Sequence, residues 1–257
     1  MKPSLAVRRG GWCVLAIWAL RAGVAAVSGA VVRGAADAEM GPYLRGDLGV
    51  WPALLELLSE GRAVVGATGP LLMLCAAFGL IAGFVTTGGV LAHLRRPEGL
   101  GGFVERALRW APAMLMSAVW MSLLRLVLLG LGLVLLAAVS APNLARAGLA
   151  LGVFALTTPV YDHARAMIVG EVPVGRYGPR PTWVALRNVL RQPAAAVLSA
   201  LAFIGMVASG AGASAVALAW PHGGATAWCV RGLGLLAATL YVLRLSLFVV
   251  DDEARDA

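Results

Sequence analysis

The sequence predicts an all-α fold: a polytopic bundle of six transmembrane helices with short cytoplasmic interfacial helices, forming one transmembrane domain over residues 1–257. Three observations predict it. Of the 257 residues, 60% are hydrophobic and only 13% are charged, where a soluble domain carries about 25% charge to keep its surface solvated. The charges fall in short clusters between long apolar runs, whose length at 1.5 Å rise per residue matches a hydrocarbon core of roughly 30 Å. None of these runs alternates polar and apolar residues as a membrane β-strand would over roughly 10 residues.

The elements follow in order. The first stretch, 11–32, comes after Lys2, Arg8 and Arg9. That basic start, the apolar run Trp12–Leu20 and the small residues Ser28-Gly29-Ala30 also resemble a cleavable signal peptide. Both readings stand, and the internal repeat described below favours a retained helix. The second stretch, 66–92, follows a loop holding Asp37, Glu39, Asp47, Glu56 and Glu60. The third, 112–139, opens at Pro112, since proline suits a helical first turn where its missing N–H costs nothing. The fourth spans 147–168. The fifth, 194–219, follows Pro193 and carries Gly205, Ser209, Gly210, Gly212, Ala213 and Ser214, a close-packing face. The sixth is 226–250.

Orientation follows from the basic residues of the connections. The N-terminus, the 93–111 and 164–193 connections and the tail hold thirteen arginines and lysines, whereas Arg33, Arg45, Arg62 and Arg146 make four on the other side. The first side is expected to be cytoplasmic, with both termini on it. Trp12, Trp110 and Trp183 fall at the inner boundaries and Trp51, Trp220 and Trp228 at the outer ones, as an aromatic belt requires. The formal charge of +8 is carried by arginines that flank the spans, which points to membrane orientation and anionic phospholipid and away from nucleic acid.

The even-numbered stretches end alike. Val160-Tyr161-Asp162-His163-Ala164-Arg165 and Val250-Asp251-Asp252-Glu253-Ala254-Arg255 both read V-x-D-x-A-R, and Val90 to Arg95 keeps the valine, the arginine and a histidine matching His163. Two amphipathic stretches follow, Phe103–Trp110 before Pro112 and Trp183–Arg191 before Pro193, each expected to lie in the cytoplasmic interface. The repeated unit is a descending helix, an interfacial helix and an ascending helix.

Asp162 and Arg165 stand three residues apart on one helix face, as do Asp252 and Arg255, and both pairs are expected as interfacial ion pairs. An acid as deep as Asp162 also suits a proton or substrate site. Arg21 and Arg125 fall roughly 15 and 20 Å from the inner edges, where an arginine costs roughly 2.5–3.5 kcal/mol on insertion scales. No acid lies at mid-depth to offset them, so backbone carbonyls, water or an anion must. The pair is therefore a candidate anion or lipid-phosphate site. Arg244 lies near the inner edge and is expected to snorkel. His93 and His163 are expected as interfacial histidines. Cys13, Cys75 and Cys229 lack CxxC spacing and read as buried free thiols. No catalytic residue, metal set or cofactor motif is expected: Lys2 is the only lysine, which removes a P-loop and a Schiff base, and there is no HExxH.

The run from Tyr161-Asp162-His163-Ala164-Arg165 to Ala185-Leu186-Arg187-Asn188-Val189-Leu190-Arg191-Gln192-Pro193, with Gly88-Gly89-Val90-Leu91-Ala92-His93-Leu94-Arg95, resembles a family of uncharacterised bacterial six-helix integral membrane proteins. It is also distantly similar to the membrane domain that accompanies some glycerophosphodiester phosphodiesterases. The resemblance spans roughly residues 80–215 and implies a fold without catalytic residues. The resulting expectation is a non-enzymatic accessory or regulatory component of a bacterial inner membrane, contacting anionic phospholipid and a membrane protein partner. The alternative is a transporter or translocator of an anionic lipid or small anion.

Overall fold

The computed structural model describes residues 3–40, 62–96, 99–139, 142–170, 178–219 and 224–253. Within them the chain is helical: α1 Pro3–Met40, α2 Arg62–Arg95, α3 Leu100–Ala138, α4 Asn143–Val169, α5 Arg180–Arg191, α6 Pro193–Ala219 and α7 Gly224–Glu253. Each of the six apolar stretches falls on one long helix, the third running one residue past the end of α3. The loop acids Asp47, Glu56 and Glu60, together with Trp51, Trp220 and Arg255, lie outside the described residues, as does the side chain of Asp252.

Five helices are long and apolar enough to cross a membrane, by length and composition: Gly10–Val27, Met73–Arg95, Leu100–Ala138, Pro193–Ala213 and Ala225–Val249. The fourth stretch, in α4, is not among them. Its C-terminal half explains why. Every residue from Thr157 to Val169 is buried, so this turn-after-turn run faces protein on all sides and can carry Thr157, Thr158, Asp162, His163 and Arg165 in place of apolar residues. α3 is the opposite case, with Leu126, Val127, Leu131, Val134 and Leu135 exposed. An apolar surface of that extent marks contact with lipid or protein.

The sequence pattern is corrected at α3. The stretch Phe103–Trp110 is not a separate interfacial helix: α3 runs unbroken from Leu100 through Pro112 to Ala138. The second amphipathic stretch does stand alone. α5 begins after Pro179 with Pro181 in its first turn, buries Pro181, Ala185 and Val189 on one side, and ends at Gln192 before Pro193 opens α6. Its exposed stripe, Trp183, Arg187, Leu190 and Arg191, mixes apolar and basic side chains, the composition of a membrane-interface face.

Contacts divide the chain into two compact units, residues 19–83 and the remainder (1–18 with 84–257). In the larger unit α4 packs against α3, α5, α6 and α7. Its helices approach closely where glycine removes the side chain. A Cβ at Gly88 would stand 2.9 Å from Trp110 Cβ, and one at Gly89 would stand 2.8 Å from the Phe103 ring and 2.9 Å from Ala107 Cβ. This glycine pair lets the end of α2 lie against the start of α3. Gly10 admits Val242 and Gly205 admits Leu240 in the same way.

Gly89→Leu should therefore destabilise the purified protein by about 1–3 kcal/mol through overpacking. Gly130→Leu, where a Cβ meets nothing within 4 Å, should stay within about 0.5 kcal/mol of wild type. Thermal unfolding in detergent separates the two, and equal effects would refute the close approach.

Candidate functional site

The polar residues inside the larger unit converge on Asp162. It sits in the last third of α4 and is 0% exposed. Its nearest cation is Arg244 on α7, whose Nε lies 2.7 Å from Oδ2, out of line for a hydrogen bond but close enough for full charge pairing. Ser199 on α6 donates to the same oxygen at 3.5 Å. Arg165, one turn further along α4, reaches Oδ1 only at 3.9 Å. Among the described residues Oδ1 has no hydrogen-bond partner.

This geometry changes two sequence expectations. Asp162 and Arg165 do form a pair, but one buried in the protein and secondary to the nearer Arg244. Arg244 does not snorkel: it is 5% exposed and turned to the carboxylate, between the rings of Tyr241 (5.2 Å) and Phe203 (5.8 Å). The physical reason is the carboxylate itself. Burying an isolated charge costs several kcal/mol, so the nearest guanidinium on a facing helix gains more from pairing inward than from reaching water. Arg165 lies against the Tyr161 ring and donates to its hydroxyl.

Arg125 is the third cation whose field reaches Asp162. Where the sequence suggested carbonyls, water or an anion, two threonine hydroxyls hold its guanidinium. Its Nε donates to Thr157 Oγ1 at 2.9 Å and its Nη2 to Thr158 Oγ1 at 3.2 Å, with Phe154 and Tyr161 rings alongside. The two hydroxyls pass their own protons to the carbonyls of Val153 and Phe154. Each thus presents a lone pair to the guanidinium. Pro159 follows directly and contributes no N–H to the turn before it. Arg21 belongs to the other compact unit, on α1, with an exposed side chain that takes part in a contact of its own.

His93 and His163 are both buried within the protein. His93 accepts from Trp12 Nε1 at 2.7 Å, and Trp12 stacks edge-on against both His93 and Phe103. His163 meets Asn188 of α5 at 3.3 Å and the edge of Phe248. Thr87 and Tyr241 share a hydrogen bond between α2 and α7. Cys13 is buried as expected, but Cys229 is exposed. Among the described residues no group of three or more His, Cys, Asp or Glu side chains could hold a metal.

Among the described residues, the buried cluster holds three arginines to one carboxylate. Sequence spacing had a signal for Arg165 but none for Arg244, since their partner relation depends on how α4 and α7 pack.

Two asymmetries are expected in thermal unfolding of the purified protein. Arg244→Ala or Asp162→Ala should each cost about 3–5 kcal/mol by leaving an unpaired buried charge, while Asp162→Leu with Arg244→Met should cost much less than their sum. Thr157→Val with Thr158→Val, which strips Arg125 of acceptors, should destabilise more than Arg125→Met, which leaves both hydroxyls bonded to carbonyls. Additive losses in the first set, or the reverse order in the second, would contradict the cluster.

Comparison of the chain with known protein families, with characterised proteins and with solved structures finds no match.

Proposed function

We propose that the protein is a six-span, non-enzymatic component of a bacterial inner membrane, with both termini cytoplasmic, acting as an accessory or regulatory subunit seated on anionic phospholipid. The observation that carries this reading is the division of polar groups. Inside, Asp162, Arg125 and Arg244 are spent on one another and on Ser199, Thr157 and Thr158, which ties helices together and leaves no free acid–base pair for chemistry among them. Outside, five long apolar helices and the exposed Trp183, Arg187, Leu190 and Arg191 of α5 suit lipid and its phosphates.

α4 serves as the sixth span in this reading, shielded from lipid over its inner half by the helices around it. The threonine clamp on Arg125 favours a fixed structural cation over one lining a transport path, because its donors already point at protein acceptors.

The orientation is tested by labelling. In a background with Cys13, Cys75 and Cys229 replaced, Glu56→Cys should react with an impermeant maleimide on intact cells. Gly101→Cys, at an exposed position with nothing within 4 Å, should react only after the membrane is permeabilised. The inverse pattern would refute the proposed orientation, and labelling of both sites without permeabilisation would refute a span between them.

A further inference from the structure

Where α2 ends, α3 begins and α4 closes, four arginines line one cavity. Arg95 and Arg96 come from α2, Arg106 and Arg109 from α3, around a space of about 300 Å³ walled also by Trp110 and Gly170. Among the described residues that line it, none is acidic. Arg95 rests its guanidinium on Gly170, where a Cβ would stand 2.9 Å from Nη1 and Nη2, and Arg109 lies 5.6 Å from the Trp110 ring. Arg95, Arg106 and Arg109 hold further interactions in the protein, so they are positioned side chains and not loose surface tails.

The helix dipole explains only part of this set. A cation at the end of α2 is favoured by the carbonyls there. Arg106 and Arg109 stand in the second and third turns of α3, where no C-terminal carbonyls face them, and their i, i+3 spacing turns both to one side. Four guanidinium groups from two helices thus face one cavity. Planar guanidinium forks match phosphate oxygens two at a time, and a cavity of this size lies within the range of small-ligand sites.

The neighbouring surface indicates which phosphate. Leu100, Val104 and Leu108 on α3 are 72, 48 and 60% exposed and repeat at i, i+4, i+8, an apolar stripe alongside the arginines. A soluble phosphate has no use for such a stripe; acyl chains do. We propose that this cavity binds the phosphate of an anionic phospholipid, with Arg95, Arg96, Arg106 and Arg109 on the headgroup and the α3 stripe along the chains. The site rests on the proposed orientation only for the leaflet it meets.

The test is native mass spectrometry of the full chain in mild detergent, titrated with phosphatidylglycerol, with phosphatidylcholine of the same acyl chains, and with glycerol phosphate. Phosphatidylglycerol should bind about ten-fold or more tighter than phosphatidylcholine, and Arg106→Gln with Arg109→Gln should remove about that factor. Arg146→Gln with Arg231→Gln, two exposed cations away from this cavity, should change binding less than about two-fold. Gly170→Leu keeps every charge but displaces Arg95. It should also weaken phosphatidylglycerol binding several-fold, and it carries the test if the double arginine variant fails to fold.

Equal losses in the two double variants would reduce the effect to general surface charge and overturn the site. So would equal binding of the two lipids, or glycerol phosphate binding as tightly as phosphatidylglycerol. Binding in detergent does not depend on topology. An inverted labelling pattern would move the site to the other leaflet without removing it, whereas lost lipid selectivity would remove the site and leave the orientation standing.

Discussion

The rest of the larger unit depends on one buried charge. Asp162 has no access to solvent, and a carboxylate in that position must be compensated by groups brought from other helices. Arg244 supplies the charge from α7 and Ser199 supplies a hydroxyl from α6. Three helices are therefore fixed at one level. A slip of α7 by one turn would move the guanidinium about 5.4 Å and leave Asp162 with only the more distant Arg165. Such a pair adds little net stability over an apolar replacement, but it heavily penalises every other register.

The same demand shapes α4 as a whole. A helix surrounded by others over its C-terminal half need not be apolar, and this one holds two threonines, a histidine, an aspartate and an arginine in thirteen consecutive buried residues. Aromatic rings complete the packing. Tyr161, Tyr241, Phe154 and Phe203 place π-faces or edges near the three guanidinium groups, which softens the cost of carrying cations in a low-dielectric interior. Glycines at the ends of α2 and α4 do the complementary work of letting bulky Trp110 and Arg95 lie against backbone.

The helical fold and the position of every apolar stretch were legible in the sequence because hydropathy over some twenty residues is a local property. So was the break between α5 and α6, signalled by Gln192-Pro193. The same proline signal misled at Pro112, where α3 continues: proline removes one hydrogen bond, and tertiary packing of Ala107, Trp110, Ala113 and Met114 on both sides of it holds the helix together. At the site, the i, i+3 relation of Asp162 and Arg165 could be read along one helix. The Arg244 partner, the threonine clamp on Arg125 and the Trp12–His93 bond all join residues far apart in sequence, and no spacing rule reaches them.

The order in which the helices are made gives the Asp162–Arg244 pair a temporal meaning. Arg244 lies about eighty residues after Asp162, and a ribosome adding about 5–20 residues per second takes several seconds or more to cover that distance. Throughout that interval α4 exists with its acid and without its nearest counter-charge, only the more distant Arg165 beside it. The closest charge pairing around Asp162 is therefore completed only once α7 has been made and has packed against α4.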